Sequence, residues 1–142
     1  MFSGNPTILG EKVTATSELK GIELTSIQCS LKKTGTVTGN VTFGVWDGSV
    51  NSETPLVSFG TLTATSLTTS FADYIKTGSR ILQTNDVIGI LYNSAGDASN
   101  CVVGEYDNAD VYDSTNSFKT RYEGGWIDST AADLKFEFKG YV

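Results

Sequence analysis

The chain has 142 residues, with 16 Asp and Glu against 10 Lys and Arg, no His and two Cys, and its net charge is −6. This length suits one compact domain that buries about two-thirds of its extended surface without metal or disulfide scaffolding. The absence of His excludes Ser-His-Asp, Cys-His and His-based zinc chemistry within the chain. The acidic balance, without a Lys/Arg cluster, leaves no electrostatic footprint for nucleic acid or an anionic membrane.

Strands are predicted from the first third of the chain onward, because apolar residues recur there with period two between short polar turns. A weak strand is expected at 12–16. A clearer one carries Ile27 and Cys29 on one face and ends before the turn that contains Gly35. In the next strand Phe43 and Val45 point inward, and Trp46 has the outward parity.

The later strands follow at intervals of about 10 to 15 residues, a spacing typical of sandwiches and barrels. The final strand has Leu134, Phe136 and Phe138 on one face, while Lys135 and Glu137 point to the other. Such alternation indicates a half-buried antiparallel strand. The strands expected between these two regions lie at 56–64, 71–76, 86–93, 100–106 and 118–123.

These elements predict an all-β protein, a two-layer antiparallel β-sandwich of jelly-roll type with eight or nine strands. The run 86–92 is apolar on both faces and is expected at the centre of a sheet. No window of helical length carries an apolar stripe. We expect one domain over residues 1–142, with the polar segment 1–10 as an N-terminal arm that docks on a neighbour.

Neither a signal peptide nor a transmembrane segment is expected. The first six residues lack a basic region followed by an apolar one, and no apolar run approaches the roughly 20 residues that span a bilayer. Two interpretations follow: the protein is used without secretion, as a virion part released by lysis would be, or it is a module of a longer chain.

The two cysteines, Cys29 and Cys101, are too few for a zinc site or a disulfide framework. They lie in apolar, strand-like runs. One interpretation is two buried thiols that pack as small hydrophobic side chains, and the other is a single disulfide between distant strands.

Several short motifs resemble those of a known family of β-sandwich modules. The segment 24–46, LTSIQCSLKKTGTVTGNVTFGVW, has a strand that ends in Leu-Lys-Lys-x-Gly, then a Thr-Gly turn and a strand that ends in Val-Trp. It resembles the opening of the choice-of-anchor type domains of secreted bacterial and archaeal proteins, with similar modules in phage tail and other virion proteins. The middle and the end of the chain resemble the family too, at 55–56, 64–70, 86–90, 122–124, Trp126 and 133–140.

The resemblance implies a jelly-roll module, usually non-catalytic, that serves in adhesion, carbohydrate contact or structure. The family provides no catalytic residues to carry over. The segment 107–117 departs from it, because the connection there is longer than usual.

Exposed aromatic rings are one candidate binding site, since sugar C–H faces stack on such rings. The candidates are Trp46, Tyr106, Tyr112 and Trp126. The competing interpretation is that these rings cap the edges of the sandwich or pack beneath loops.

The densest acidic segment is the other candidate site. Carboxylates on a loop are ligands that calcium prefers, and Asp107, Asp110 and Asp113 are the predicted set. The EF-hand spacing is absent, so a solvated acidic loop without any cofactor is the competing interpretation. Paired carboxylates such as Glu105 and Asp107 also suffice for glycoside hydrolysis in principle, but the sequence gives no separation between them.

The sequence thus predicts a non-enzymatic structural or adhesive module at a virion surface or outside the cell, of the capsid-decorating or tail-associated type. Its expected partners are copies of itself, joined through strand edges, or other assembly proteins, with no nucleic acid and no membrane insertion. The alternative is a carbohydrate-binding module whose exposed aromatic rings contact a glycan.

Overall fold

A computed structural model of the chain describes residues 1–2, 6–107, 117–129 and 133–141. The described part is almost entirely β, which confirms the predicted class. One short 3₁₀ turn, Ala64–Ser66, joins the fourth and fifth strands. The strands are β1 (Ile8–Val13), β2 (Glu23–Thr34), β3 (Asn40–Asp47), β4 (Val57–Thr63), β5 (Ala72–Ile81), β6 (Asp86–Leu91), β7 (Cys101–Gly104), β8 (Tyr106–Asp107), β9 (Ser117–Tyr122), β10 (Trp126–Ser129), β11 (Asp133–Leu134) and β12 (Phe136–Tyr141).

These strands form two larger antiparallel sheets and one small pair. Sheet A has six strands in the order β10-β9-β1-β6-β3-β4. Sheet B has the order β12-β2-β5, and β7 also pairs with β2. The small pair joins β8 to β11. The arrangement is that of an antiparallel, sandwich-like fold.

One apolar core joins the two sheets. Sheet A contributes Leu9, Phe43 and Ile90 to a single buried cluster, and sheet B contributes Ile27 and Leu31. Each of these side chains is at most 4% exposed. Burial of such a side chain stabilises the fold by about 1.5–3 kcal/mol, so this shared layer holds the sheets together.

The first strand lies earlier than predicted. β1 occupies Ile8–Val13, between β9 and β6, whereas a weak strand was expected at 12–16 and an arm at 1–10. Ile8 and Leu9 are both buried, on opposite faces of sheet A. Because the strand is covered on both sides, its short apolar run lacks the alternation on which the prediction depended. Residues 8–10 therefore belong to the sheet and not to an arm.

The described part of the chain has twelve strands, against the eight or nine expected. The strand predicted at 100–106 divides at Glu105, and the final strand divides at Lys135. β7 pairs with β2 at Leu31–Thr34, whereas β12 pairs with its earlier part. β8 follows β7 and β11 precedes β12, and these two short strands pair with each other and not with β2. The four-residue strand β10 also adds to the count.

Two β-bulges meet where the edge strands of the sheets approach each other. The register of β3 with β4 shifts beside Phe59, and that of β2 with β5 shifts beside Gly78. A Cβ atom on Gly78 would lie 2.7 Å from the Phe59 ring. The ring thus packs directly on the glycine backbone and closes this side of the sandwich.

The cysteines are free and buried, which corrects the alternative of a disulfide between Cys29 and Cys101. Cys101 pairs in register with Thr34, five positions from Cys29 along β2. At the strand rise this is about 16 Å, far beyond the roughly 7 Å Cα separation that a disulfide tolerates. Within the described part of the chain, no helix has the length and apolar character that a bilayer crossing requires.

Candidate functional site

Trp46 lies on the outer face of sheet A, the face opposite the shared core, as its parity predicted. The side chain is 0% exposed, so of the two interpretations for this ring, packing beneath a loop holds and an exposed binding ring does not. It belongs to a second apolar cluster with Ile8, Val87 and Tyr122. A sugar therefore cannot stack on Trp46 in this structure.

The loop 48–56, here called the covering loop, hides that face. The indole N–H of Trp46 donates to the Glu53 carbonyl oxygen at 2.8 Å, and that of Trp126 donates to the Val50 carbonyl oxygen at 2.8 Å. Both tryptophans are thus bound to the same loop. Trp126 is only half-buried, and its ring packs edge-to-face on Tyr122 with centroids 5.2 Å apart.

Glu53 ties the covering loop to the ends of two strands. One carboxylate oxygen accepts a hydrogen bond from the Thr7 hydroxyl, and the other accepts one from the Asn93 side-chain amide at 2.7 Å. Charge-assisted hydrogen bonds of this kind are stronger than neutral ones. The covering loop is therefore fixed over the part of the outer face of sheet A that holds Trp46.

A row of glycines crosses the same face. Gly10, Gly89 and Gly44 are in register on β1, β6 and β3. A Cβ atom on Gly89 would overlap the Leu9 carbonyl oxygen, and one on Gly44 would lie 3.5 Å from the Trp46 ring. At Gly44 the closer neighbour is the Val57 carbonyl oxygen, at 2.6 Å, so side chains in this row would displace neighbouring backbone.

The structure describes only some of the remaining aromatic and acidic candidate residues. Tyr112, Asp110 and Asp113 lie outside the described residues. Tyr106 and Asp107 form β8, and only their backbone is described. Within the described ranges, no three Cys, Asp or Glu side chains lie close enough together to hold a metal ion. Calcium binding by the acidic segment stays a prediction.

A polar groove lies on the outer face of sheet B. It has a volume of about 310 Å³ and is lined by Gln28, Asp73, Lys135 and Glu137. Gln28 pairs in register with Glu137 on β12, and the neighbouring position Ser30 pairs with Asp73 on β5. Residues paired in this way share a face, so three strands bring these side chains together.

One end of the groove lies beside Glu105 and Lys135, the residues that separate β7 from β8 and β11 from β12. The Glu105 N–H donates to the Ser30 carbonyl at 3.0 Å, and the Lys135 N–H donates to the Glu105 carbonyl at 3.0 Å. The Ser30 hydroxyl donates to the Glu105 carboxylate at 2.5 Å. The Lys135 ammonium lies 3.5 Å from both carboxylate oxygens. These contacts fix Glu105 and Lys135 beside the groove.

The carboxylates near the groove affect the pKa of a buried thiol in the same sheet. Burial raises the pKa of the Cys29 thiol, and the charges of Asp73 and Glu105 raise this pKa further. Because the thiolate is the nucleophilic form, Cys29 is unreactive at neutral pH. The thiol lies in the core between the sheets and is not part of the groove.

The four lining residues were not among the predicted site residues. Period-two alternation did predict that Lys135 and Glu137 point outward, and both are exposed. Their meeting with Gln28 and Asp73 depends on the pairing of three strands that are distant in sequence. Local pattern carries no signal for that pairing.

Comparisons with protein-family models, with curated proteins and with solved structures find no match to this chain.

Proposed function

We propose that this protein is a non-catalytic structural or adhesive surface module of an extracellular or virion assembly, of the capsid-decorating or tail-associated type. Its partners are copies of itself or other assembly proteins. The motifs that resemble choice-of-anchor type modules support this proposal, and we propose the jelly-roll arrangement on the same ground.

The observation that carries the proposal is a concentration of exposed apolar side chains on β5 and the residue before it. Phe71, Ile75 and Ile81 are 39%, 49% and 59% exposed. The other large apolar side chains exposed in the described part of the chain are Val50 and Leu56 on the covering loop and Ile127 on β10. Single exposed apolar residues are common, and three that follow one another along one strand favour a contact surface there.

The test is the location of the protein in its native setting. Particles and cell envelopes from the source culture are separated on a density gradient, and the chain is detected by mass spectrometry and by immunogold labelling. We expect the chain to sediment with particles or envelopes and the label to lie on their surface. A chain found solely as a free species at the top of the gradient would contradict the proposal.

Among the candidate rings whose side chains the structure describes, Trp126 is the one that remains for the alternative of a carbohydrate-binding module. Its ring is half-buried at the edge of sheet A, whereas the burial of Trp46 removes one of the aromatic rings that the alternative needs. Titration with a panel of polysaccharides, followed by the fluorescence of wild type and Trp126→Ala, tests this function. An absence of binding at millimolar sugar would exclude it.

A further inference from the structure

We propose that the groove on the outer face of sheet B binds a basic side chain, Lys or Arg, of a different protein in the assembly. This inference rests on the proposed function, and it names the chemistry of one contact.

The charges in the groove do not balance. Lys135 is paired with Glu105, at 3.5 Å, so its charge is matched at the end of the groove. Among the described residues, neither Asp73 nor Glu137 forms an ion pair, and Glu137 accepts a hydrogen bond from the neutral amide of Gln28 at 3.3 Å. Two carboxylates thus face the groove, and one cation placed between them attracts both and offsets one of the two negative charges.

The flanks of the groove suit a side chain with an apolar stem and a charged end. Asp73 lies between Phe71 and Ile75 in the sequence, and both are exposed. A Lys or Arg stem can lie along Ile75 while its charged end reaches the carboxylates. On the other flank, the chain's own Lys32 ammonium lies 4.7 Å from the centre of the Phe71 ring, so that position already holds a cation.

The net charge of the chain favours a basic partner over a second copy. At −6 it repels further copies of itself and attracts a basic surface, which speeds association and favours partners of opposite charge. The partner is therefore assigned as another protein with an exposed basic residue, not as a second copy.

The first test is a titration of the full chain, isotopically labelled for NMR, with N-acetyl-arginine amide and N-acetyl-lysine amide. We expect saturable shifts at the backbone amides of residues 28, 73 and 137 and at the side-chain amide of Gln28. An isolated cation of this size binds an exposed carboxylate pair with a dissociation constant on the order of tens of millimolar. The affinity falls as salt is added. Equal shifts with the neutral analogue N-acetyl-citrulline amide, or no shifts in the groove, would overturn the proposal.

Isosteric variants test the two carboxylates. Asp73→Asn and Glu137→Gln each remove one charge at an exposed position, and each is expected to weaken binding of the arginine analogue about threefold. The matched control is Glu18→Gln, which removes the same charge from an exposed position outside the groove. Equal weakening by the control would show a general charge effect and overturn the site.

A competition with the native assembly separates this inference from the proposed function. The double variant Asp73→Asn/Glu137→Gln is expressed in the source culture beside wild type, and its share in isolated particles is measured. We expect the variant to be depleted at least threefold. Equal incorporation into particles would overturn the groove as a contact while the proposed function stands. Absence of both chains from particles would contradict the proposed function, even if the arginine analogue binds. Self-association that the double variant abolishes would overturn the assignment of a different protein.

Discussion

The outer faces of the two sheets differ in what covers them. On sheet A the covering loop lies over Trp46 and its apolar neighbours, and its own carbonyls accept the hydrogen bonds of both indoles. On sheet B the corresponding face is open, with a polar groove and exposed apolar side chains on β5. Sheet A therefore has a second small core, and the face of sheet B is free to meet another molecule. The outer face of sheet A thus contributes to the stability of the fold, whereas the outer face of sheet B presents exposed polar and apolar side chains.

The largest expected effect separates the two tryptophans. Trp46→Ala should destabilise the fold by about 3–5 kcal/mol, because it removes a wholly buried ring and leaves a cavity under the covering loop. Trp126→Ala, at a half-buried position, should cost about 1–2 kcal/mol. Urea unfolding followed by far-UV circular dichroism measures both. If Trp46→Ala is no more costly than Trp126→Ala, the outer face of sheet A is not a second core.

The glycine row gives the next largest effect. Gly89→Ala should destabilise the fold by about 1–3 kcal/mol, because its new Cβ overlaps the Leu9 carbonyl and the sheet must shift. The matched control is Gly125→Ala, whose nearest neighbour, Asn51 Oδ1, lies 3.6 Å from the added atom. Thermal unfolding compares the two variants. Equal melting temperatures would mean that sheet A accommodates side chains in this row.

Glu53→Ala tests the attachment of the covering loop. The Thr7 hydroxyl and the Asn93 amide lose their acceptor, so we expect a loss of about 1–2 kcal/mol. Detachment of the loop should also shift Trp fluorescence to longer wavelength and speed proteolysis within 48–56. Glu18→Ala, at an exposed position, serves as the control. Unchanged fluorescence and proteolysis in Glu53→Ala would show that other contacts hold the loop.

The smallest expected effect is on stability at low pH, through Asp47 at the start of the covering loop. Hydrogen bonds from the Ser49 hydroxyl and backbone N–H lower the pKa of Asp47. A lowered folded-state pKa gives stability that is present above the unfolded pKa of about 3.9 and is lost as pH falls through the folded value. Asp47→Asn should therefore flatten the fall in melting temperature below about pH 4. Parallel acid profiles for the two proteins would contradict this assignment.

The fold was predictable where strands are half-buried. The alternation around Ile27 and Phe43 identified β2 and β3, because one face of each strand is core and polar residues interrupt the other. It misplaced β1, which is covered on both faces. The alternation also placed Trp46 on the correct face of its strand. It could not predict that the covering loop buries this side chain, because the contacts of the nine loop residues with sheet A leave no periodic pattern in the sequence.

The groove was less predictable than the strands that form it. Lys135 and Glu137 were expected to point outward, whereas Asp73 and Gln28 had no pattern that marked them as a site. The register of β12, β2 and β5 brings them together, and it is set by core side chains on the opposite face and by a bulge. The carbohydrate and calcium predictions relied on residue type alone, which does not encode such register.

The paired bulges at Phe59 and Gly78 affect whether molecules of this protein can aggregate through the edges of their sheets. Regular, flat edge strands invite continuous backbone pairing between molecules and hence fibres. Here the ladder is interrupted on both edge strands, and the Phe59 ring fills the gap between them. Open-ended polymerisation through continuous backbone pairing at this edge is thereby opposed.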